Sequence, residues 1–196
     1  MSMAARIENI KHRRIPNDKI YTPPSVAQKM INICDISPTD KVLDPSKGGG
    51  VFYDNLPECT KSYCEIEEGL DFFDYKEEVD IIVGNPPFSL WNKWVDKTIE
   101  LNPKKICYIY GVFNMTPKRF EKFQAHGYKV QKIVLMDIDW WLGSSFIVLL
   151  EKKPNDFFEF VPNKILCEKC GLAKCKRKPK DGSSFDINKC RFETTE

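Results

Sequence analysis

Apolar residues return along this chain in two alternating rhythms. Solid runs of aliphatics, as in strands buried on both faces, alternate with stretches whose apolar positions fall three and four residues apart, as in helices packed by one side. SVAQKMINIC (25–34) places Val26, Met30 and Ile33 close to helical spacing. KVLDP (41–45) reads as a buried strand stopped by Pro45 and the run Gly48, Gly49, Gly50. KSYCEI (61–66), after a turn at Pro57, is a second short strand, and VDIIVGN (79–85) is the strongest strand signal of the first half. SLWNKWVDKTIEL (89–101) sets Leu90, Trp94, Val95, Thr98 and Leu101 in helical register before Asn102-Pro103, and Trp91 and Trp94 read as core. KICYIYG (105–111) is a strand, and TPKRFEKFQAHG (116–127) is a short helix with Thr116 as N-cap, Pro117 at the first position and Gly127 just past the end. KVQKIVLMDI (129–138) and SSFIVLLEK (144–152) are joined by a short loop and should pair antiparallel.

Strands alternating with helices and closing in a hairpin predict an α/β domain with a mostly parallel, helix-covered sheet. No internal repeat interrupts it. KPNDFFEFVPNKI (153–165), with prolines near both ends, reads as a linker or docking strand, and the stretch beyond it is too short for an apolar core of its own.

Composition narrows this little. A chain of 196 residues has room for one α/β domain plus a small appendage, and 42% hydrophobic residues suffice for a core. No apolar run reaches the roughly 18 residues of a membrane span. The start, MSMAARIENIKHRR, lacks an apolar stretch of signal-peptide type, so an intracellular protein without membrane contact is the expectation.

Charge adds a gradient beneath a net +2. Residues 1–20 carry five Lys or Arg against two acids, residues 21–163 sixteen against twenty-one, and residues 164–196 nine against five. Basic ends suit a polyanion such as nucleic acid, though solvated Lys-rich termini are also common. Cys34, Cys59, Cys64 and Cys107 lie scattered among apolar neighbours and read as buried free thiols. Cys167, Cys170, Cys175 and Cys190 cluster near the end and supply four thiolates, the number a tetrahedral structural zinc needs. Seven Lys or Arg in residues 164–180, against Glu168 alone, would welcome the formal −2 of such a centre. The plain alternative is a disordered cysteine-rich basic tail. His12 and His126 are the only histidines, and neither sits near a nucleophile, which disfavours a histidine-based triad.

Two constellations carry chemistry. In open parallel sheets, ligands bind beyond the carboxyl ends of strands. VLDPSKGGG puts Asp44-Pro45 at such an end, with Gly48 and Gly50 shortly after. It is neither GxGxxG nor a P-loop, so nothing cradles a polyphosphate. Glu65, at the end of the next strand, suits the two hydroxyls of a ribose, although it is one of three acids in EIEEG. Asp71-Phe72 could hold an adenine, the acid accepting from its amino group and the ring packing on it. Each alone is an ordinary turn; their order and spacing give the signal.

The second constellation is Asn85, Pro86, Pro87 and Phe88, directly after the VDIIV run. Asn85 offers a side-chain carbonyl, and Pro86 a backbone carbonyl restrained by its own ring and by Pro87. Two fixed acceptors suit a planar amine with two hydrogens, and Phe88 offers a face for a flat ring. Taken as structure alone, the tetrapeptide is a strand terminator.

With YTPP (21–24), LDPSKGGG, Glu65, Asp71-Phe72 and NPPF in this order, residues 20–152 resemble the class I S-adenosylmethionine-dependent methyltransferases, in the amino-methylating branch that includes the DNA adenine N6-methyltransferases. The resemblance implies a Rossmann-like sheet, mostly parallel with a reversed last strand, followed here by a small C-terminal cysteine-rich zinc knuckle. It implies that Tyr21, Thr22 and Pro23 border the methionine end of S-adenosylmethionine and that Asp44, Pro45, Gly48 and Gly50 approach the same end. Glu65 would hold the ribose, Asp71 and Phe72 the adenine, and Asn85, Pro86, Pro87 and Phe88 the substrate amine. Lys47 stands where the family usually has a small residue.

The expected organisation is a basic leader (1–20), a methyltransferase domain (21–153), a linker (154–165) and a four-cysteine module (166–196). The expected function is transfer of a methyl group to the exocyclic amine of a flipped-out adenine in DNA. RNA adenine methylation and a non-catalytic nucleic-acid-binding subunit are the alternatives, and methylation of a protein glutamine is disfavoured because those relatives typically carry Tyr where Phe88 stands. DNA is favoured over RNA as partner, with room for a second subunit in target recognition. Trp140 and Trp141, near the sheet's end, could line the substrate cleft.

Overall fold

The computed structural model describes residues 20–136 and 144–153. The four cysteines Cys167, Cys170, Cys175 and Cys190, the linker, Trp140 and Trp141, and the basic leader apart from Ile20 lie outside the described residues. Helix α1 (Pro24–Cys34) is followed by strands β1 (Lys41–Asp44), β2 (Thr60–Tyr63) and β3 (Ile81–Gly84). Helix α2 (Trp91–Leu101), strand β4 (Lys105–Gly111), helix α3 (Pro117–Ala125), and strands β5 (Lys129–Met136) and β6 (Ser145–Glu151) complete the order.

The six strands form one sheet in the order β2-β1-β3-β4-β6-β5. Strands β2, β1, β3 and β4 pair parallel, while β6 is antiparallel to both β4 and β5. The mostly parallel sheet with a reversed last strand is thus present. β1 leads to β2 on one side and β3 lies on its other side, so the connections diverge at β1/β3, where open α/β sheets bind ligands.

Alternation along each strand sorts the core into two layers. Val42, Ile81, Val83, Cys107, Ile109, Ile147 and Leu149 pack with Val26, Ala27, Met30, Ile31 and Cys34 of α1. Leu43, Ile82, Ile106, Tyr108, Tyr110, Val148 and Leu150 pack on the opposite face with Trp91, Trp94, Val95, Phe120 and Phe123 of α2 and α3. Trp91 and Trp94 are therefore core, and Cys34, Cys64 and Cys107 are buried free thiols; Cys59 is only partly buried. Trp91, fully buried, stacks on Tyr110 of β4 with ring centroids 4.3 Å apart and meets Tyr108 edge-on at 5.8 Å. Among the described residues no helix is long and apolar enough to cross a membrane.

Several boundaries differ from the sequence reading. β2 stops at Tyr63 because the chain turns in: the Lys47 amide donates to the Cys64 carbonyl (2.9 Å), and Glu65 becomes the N-cap of a 3-10 turn over Ile66–Glu68. α2 starts at Trp91, since Phe88–Leu90 form a 3-10 turn of their own. Thr116 stands at the N-cap of α3, yet its hydroxyl makes no capping bond; its carbonyl accepts from the Arg119 and Phe120 amides.

Candidate functional site

The carboxyl ends of β1, β2, β3 and β4 lie along one edge of the sheet, and the motif residues follow those ends. Asp44 closes β1 and is buried. Its Oδ1 accepts from the Ser46 amide at 3.2 Å and its Oδ2 from the Tyr53 amide at 3.3 Å, which folds the loop of residues 45–53 back over the strand end. Burial pushes this carboxyl up to about 7, against the pull of those two amides.

Within the loop Gly50 has φ +82°, a conformation that glycine adopts without strain. The Gly48 amide donates to Glu65 Oε2 at 2.7 Å, and the Glu67 amide donates to Oε1 at 3.1 Å. Of the three acids in EIEEG, Glu65 is therefore the one seen to accept from a main-chain amide of the glycine loop. Two of its roughly four lone-pair positions remain for other donors. Lys47 does not project across the loop: its Nζ reaches Glu68 Oε1 at 3.2 Å and lies 4.0 Å from the centroid of the Tyr63 ring. Tyr63 in turn donates to Glu68 Oε2 at 2.8 Å. An extra cation in the loop is thus held to one side by an acid and an aromatic face.

Gly84, last in β3, meets β1 closely. A Cβ there would fall 2.9 Å from Pro45 Cδ and 3.4 Å from Asp44 Oδ1, so only glycine lets the two loops approach this far. Asn85 follows. Its backbone carbonyl accepts from Ser46 Oγ at 3.2 Å, and its Nδ2 donates to the Ile20 carbonyl at 2.9 Å. Its Oδ1 is buried and has no hydrogen-bond partner among the described residues. Leaving a buried carbonyl unpaired costs about 1–3 kcal/mol, a penalty that a ligand's N–H would relieve. Pro86 is buried, Pro87 is extended (φ −60°, ψ 127°), and the partly buried Phe88 ring lies 3.7 Å from the Cβ position of Gly111 at the end of β4.

The segment before α1 belongs to the same cluster. Tyr21 is 64% exposed, and its ring passes 3.6 Å from the Cβ positions of Gly48 and Gly49. Thr22 is buried behind it, and Pro23 caps α1 in extended conformation. Tyr21, Thr22, Pro23, Asp44, Pro45, Gly48, Gly50, Glu65, Asn85, Pro86, Pro87 and Phe88 are thereby gathered around β1 and β3.

Asp71 and Phe72 are the exceptions. Asp71 caps a 3-10 turn, accepting from the Phe73 amide at 2.9 Å, and this sends Phe72 inward. Phe72 is 2% exposed and lies 4.4 Å from Trp94 in the core, so its ring does not offer a face to a ligand. An aromatic after a loop acid reads alike in sequence whether it turns in or out. The exposed apolar groups beside Glu65 are instead Ile66, 72% exposed, and Leu70, 45% exposed, which the sequence reading passed over. Ser46 and Ile20 were also missed, since a contact across 39 or 65 residues leaves no local signal. Gly84 had one: a glycine inside an aliphatic strand marks close backbone approach.

Among the described residues no group of three or more His, Cys, Asp or Glu is arranged to hold a metal.

No family model and no curated protein matches this sequence. Solved structures do. The 23S rRNA methyltransferase ErmE superposes with a TM-score of 0.56 at 13% identity, covering 72% of this chain and 73% of that one. A chain of the Mtq2-Trm112 complex of E. cuniculi, which methylates the translation termination factor eRF1, gives 0.54 at 15% identity, covering 69% and 99%. A dimethyladenosine transferase from Plasmodium falciparum gives 0.53 at 17% identity, covering 69% and 63%. The chain has the Rossmann-like fold of class I S-adenosylmethionine-dependent methyltransferases.

Proposed function

We propose that this protein is an adenine N6-methyltransferase acting on DNA, with S-adenosylmethionine as methyl donor. The observation that carries the reading is the buried Oδ1 of Asn85 at the end of β3, without a partner among the described residues. RNA is the second reading, favoured by two fold neighbours named for an rRNA and for dimethyladenosine.

The residues present suit this donor. Asp44, Gly48 and Gly50 would face its methionine end, and Glu65 would take ribose hydroxyls on its free lone pairs or in exchange for the Gly48 amide. Ile66 and Leu70 offer apolar surface to its adenine, in place of Phe72. When bound, the donor supplies an electrophilic sulfonium methyl. The protein's part is to aim the acceptor. An adenine amino nitrogen is a poor nucleophile because its lone pair is delocalised into the ring. Hydrogen bonds from its two hydrogens to Asn85 Oδ1 and the Pro86 carbonyl would favour a pyramidal nitrogen and direct the lone pair. Attack makes that nitrogen acidic, so no strong base is required, and positioning supplies much of the acceleration. In a duplex the base must leave the stack, and Phe88 would receive it.

Asp44 gives the reading a pH dependence. A carboxyl raised from 3.8 to about 7 binds its proton more tightly folded than unfolded. Its contribution to stability therefore falls as pH rises through that window. A cationic ligand favours the ionised form, so the affinity for S-adenosylmethionine should rise by up to about tenfold between pH 6 and pH 8. Calorimetric titration checks this; affinity that falls over the same range contradicts it.

The described residues hold no inserted target-recognition domain, so contact with the substrate beyond the flipped base would fall to the cysteine module or to a partner subunit. A zinc on Cys167, Cys170, Cys175 and Cys190 is part of the proposal, and metal analysis of the purified protein at neutral pH should find about one equivalent. Less than about half an equivalent counts against the site. The enzymatic reading is tested by transfer of labelled methyl to single-stranded DNA, duplex DNA and RNA. Label on RNA alone overturns DNA as substrate, and cofactor binding without transfer to any acceptor points to a non-catalytic subunit.

A further inference from the structure

We infer that the backbone carbonyl of Ile20 is a positioning group for Asn85, holding its carboxamide so that Oδ1, not Nδ2, is presented to the substrate amine. This rests on the proposed reading of the site. The two ends of a carboxamide are nearly equal in shape, and a half-turn about the last side-chain bond exchanges acceptor for donor. With Nδ2 forward, the site would set an N–H2 against the substrate's own N–H2 and could not accept from it.

The surroundings decide the orientation. Nδ2 donates to the Ile20 carbonyl at 2.9 Å, while Oδ1 is buried without a partner among the described residues. Reversing the amide would bring two acceptor oxygens to that same 2.9 Å and leave a buried N–H2 unpaired, so the reversed form loses twice. The main chain of Asn85 is fixed independently, from the β1 side, by Ser46 Oγ on its carbonyl. The contact joins residues 65 apart in sequence, and Tyr21, next to Ile20, lies over Gly48 and Gly49. One short segment ahead of α1 therefore touches both the glycine loop and the residue that would hold the amine.

The first test alters one peptide unit, weakening the Ile20 carbonyl and removing the Tyr21 N–H, and no side chain. Replacing Tyr21 with the corresponding α-hydroxy acid turns the Ile20–Tyr21 amide into an ester, whose carbonyl is a weaker acceptor. The expected result is a fall in kcat of about fivefold to tenfold, the worth of one neutral hydrogen bond, with KM for S-adenosylmethionine unchanged. In NMR spectra the Asn85 side-chain N–H2 should lose its protection from exchange. A second variant, Asn85→Asp, donates to Ile20 only when protonated, so its kcat relative to the unsubstituted protein should rise as pH falls. Asp44, the carboxyl at the end of β1 beside it, titrates in both proteins and is pushed further up by the new carboxylate, so its protonation is followed by NMR in each. An ester variant with undiminished kcat, or a flat ratio, overturns the inference. Failure of the unsubstituted protein to methylate any acceptor counts instead against the proposed function, and the N–H2 exchange measurement still tests the bond.

Discussion

Replacing Asn85 with alanine is expected to lower kcat by about a hundredfold to a thousandfold, the range found when one fixed polar group is removed from a preorganised site. The dissociation constant for S-adenosylmethionine should stay within about twofold, because the groups proposed to hold it lie on the loops after β1 and β2 and on the segment before α1, and Asn85 is not one of them. The argument is one of acceptors. Asn85 supplies a buried oxygen with no partner among the described residues, and alanine removes that oxygen together with the Nδ2 bond to Ile20. Parallel measurement of kcat and of cofactor binding separates the two effects. A variant that keeps its kcat would deny Asn85 any role in aiming the amine.

The largest effect on stability is expected from Trp91→Ala. Trp91 is fully buried, opens α2 three residues after Phe88, and joins that helix to the sheet by stacking on Tyr110. Truncating a buried tryptophan leaves a cavity and removes aromatic contact, at a cost of about 3–5 kcal/mol. The midpoint of thermal unfolding should drop by roughly 10 °C or more. Phe113→Ala is the control: its ring is 76% exposed, and the change should stay within about 0.5 kcal/mol. Equal melting temperatures for the two variants would contradict the assignment of Trp91 to the core.

The sheet was legible wherever pattern and burial coincide. KICYIYG is β4 to the residue, because its apolar side chains are buried on both faces and glycine and a turn bound it. The antiparallel hairpin of β5 and β6 followed from the short connection between two apolar runs. Ends set by tertiary hydrogen bonds were less legible. KSYCEI continues to read as strand past Tyr63, but the Cys64 carbonyl is taken by Lys47 and Glu65 turns to cap the next residues.

The site divides the same way. Asp44, Glu65 and Asn85 stand at strand ends that the sequence marks with glycine and proline, so their gathering was foreseeable from topology. Which of three neighbouring acids accepts from a main-chain amide of the glycine loop depends on a 2.7 Å contact that no spacing encodes. Phe72 turned inward because the cap at Asp71 fixes the first turn after it and Trp94 offers an apolar surface there. The bond from Asn85 to Ile20 was illegible for a simpler reason: one partner is a main-chain carbonyl, which every residue has.

The central claim is that Asn85 and Pro86 aim an exocyclic adenine nitrogen, and the identity of the methylated atom tests it most directly. DNA and RNA incubated with the protein and labelled S-adenosylmethionine would be digested to nucleosides and analysed by mass spectrometry, with Asn85→Ala in parallel. The expected product is N6-methylated adenine nucleoside from the unsubstituted protein, falling at least about a hundredfold with the variant. Label on a ring nitrogen, on a pyrimidine or on protein, or an N6 product that persists in Asn85→Ala, would contradict it.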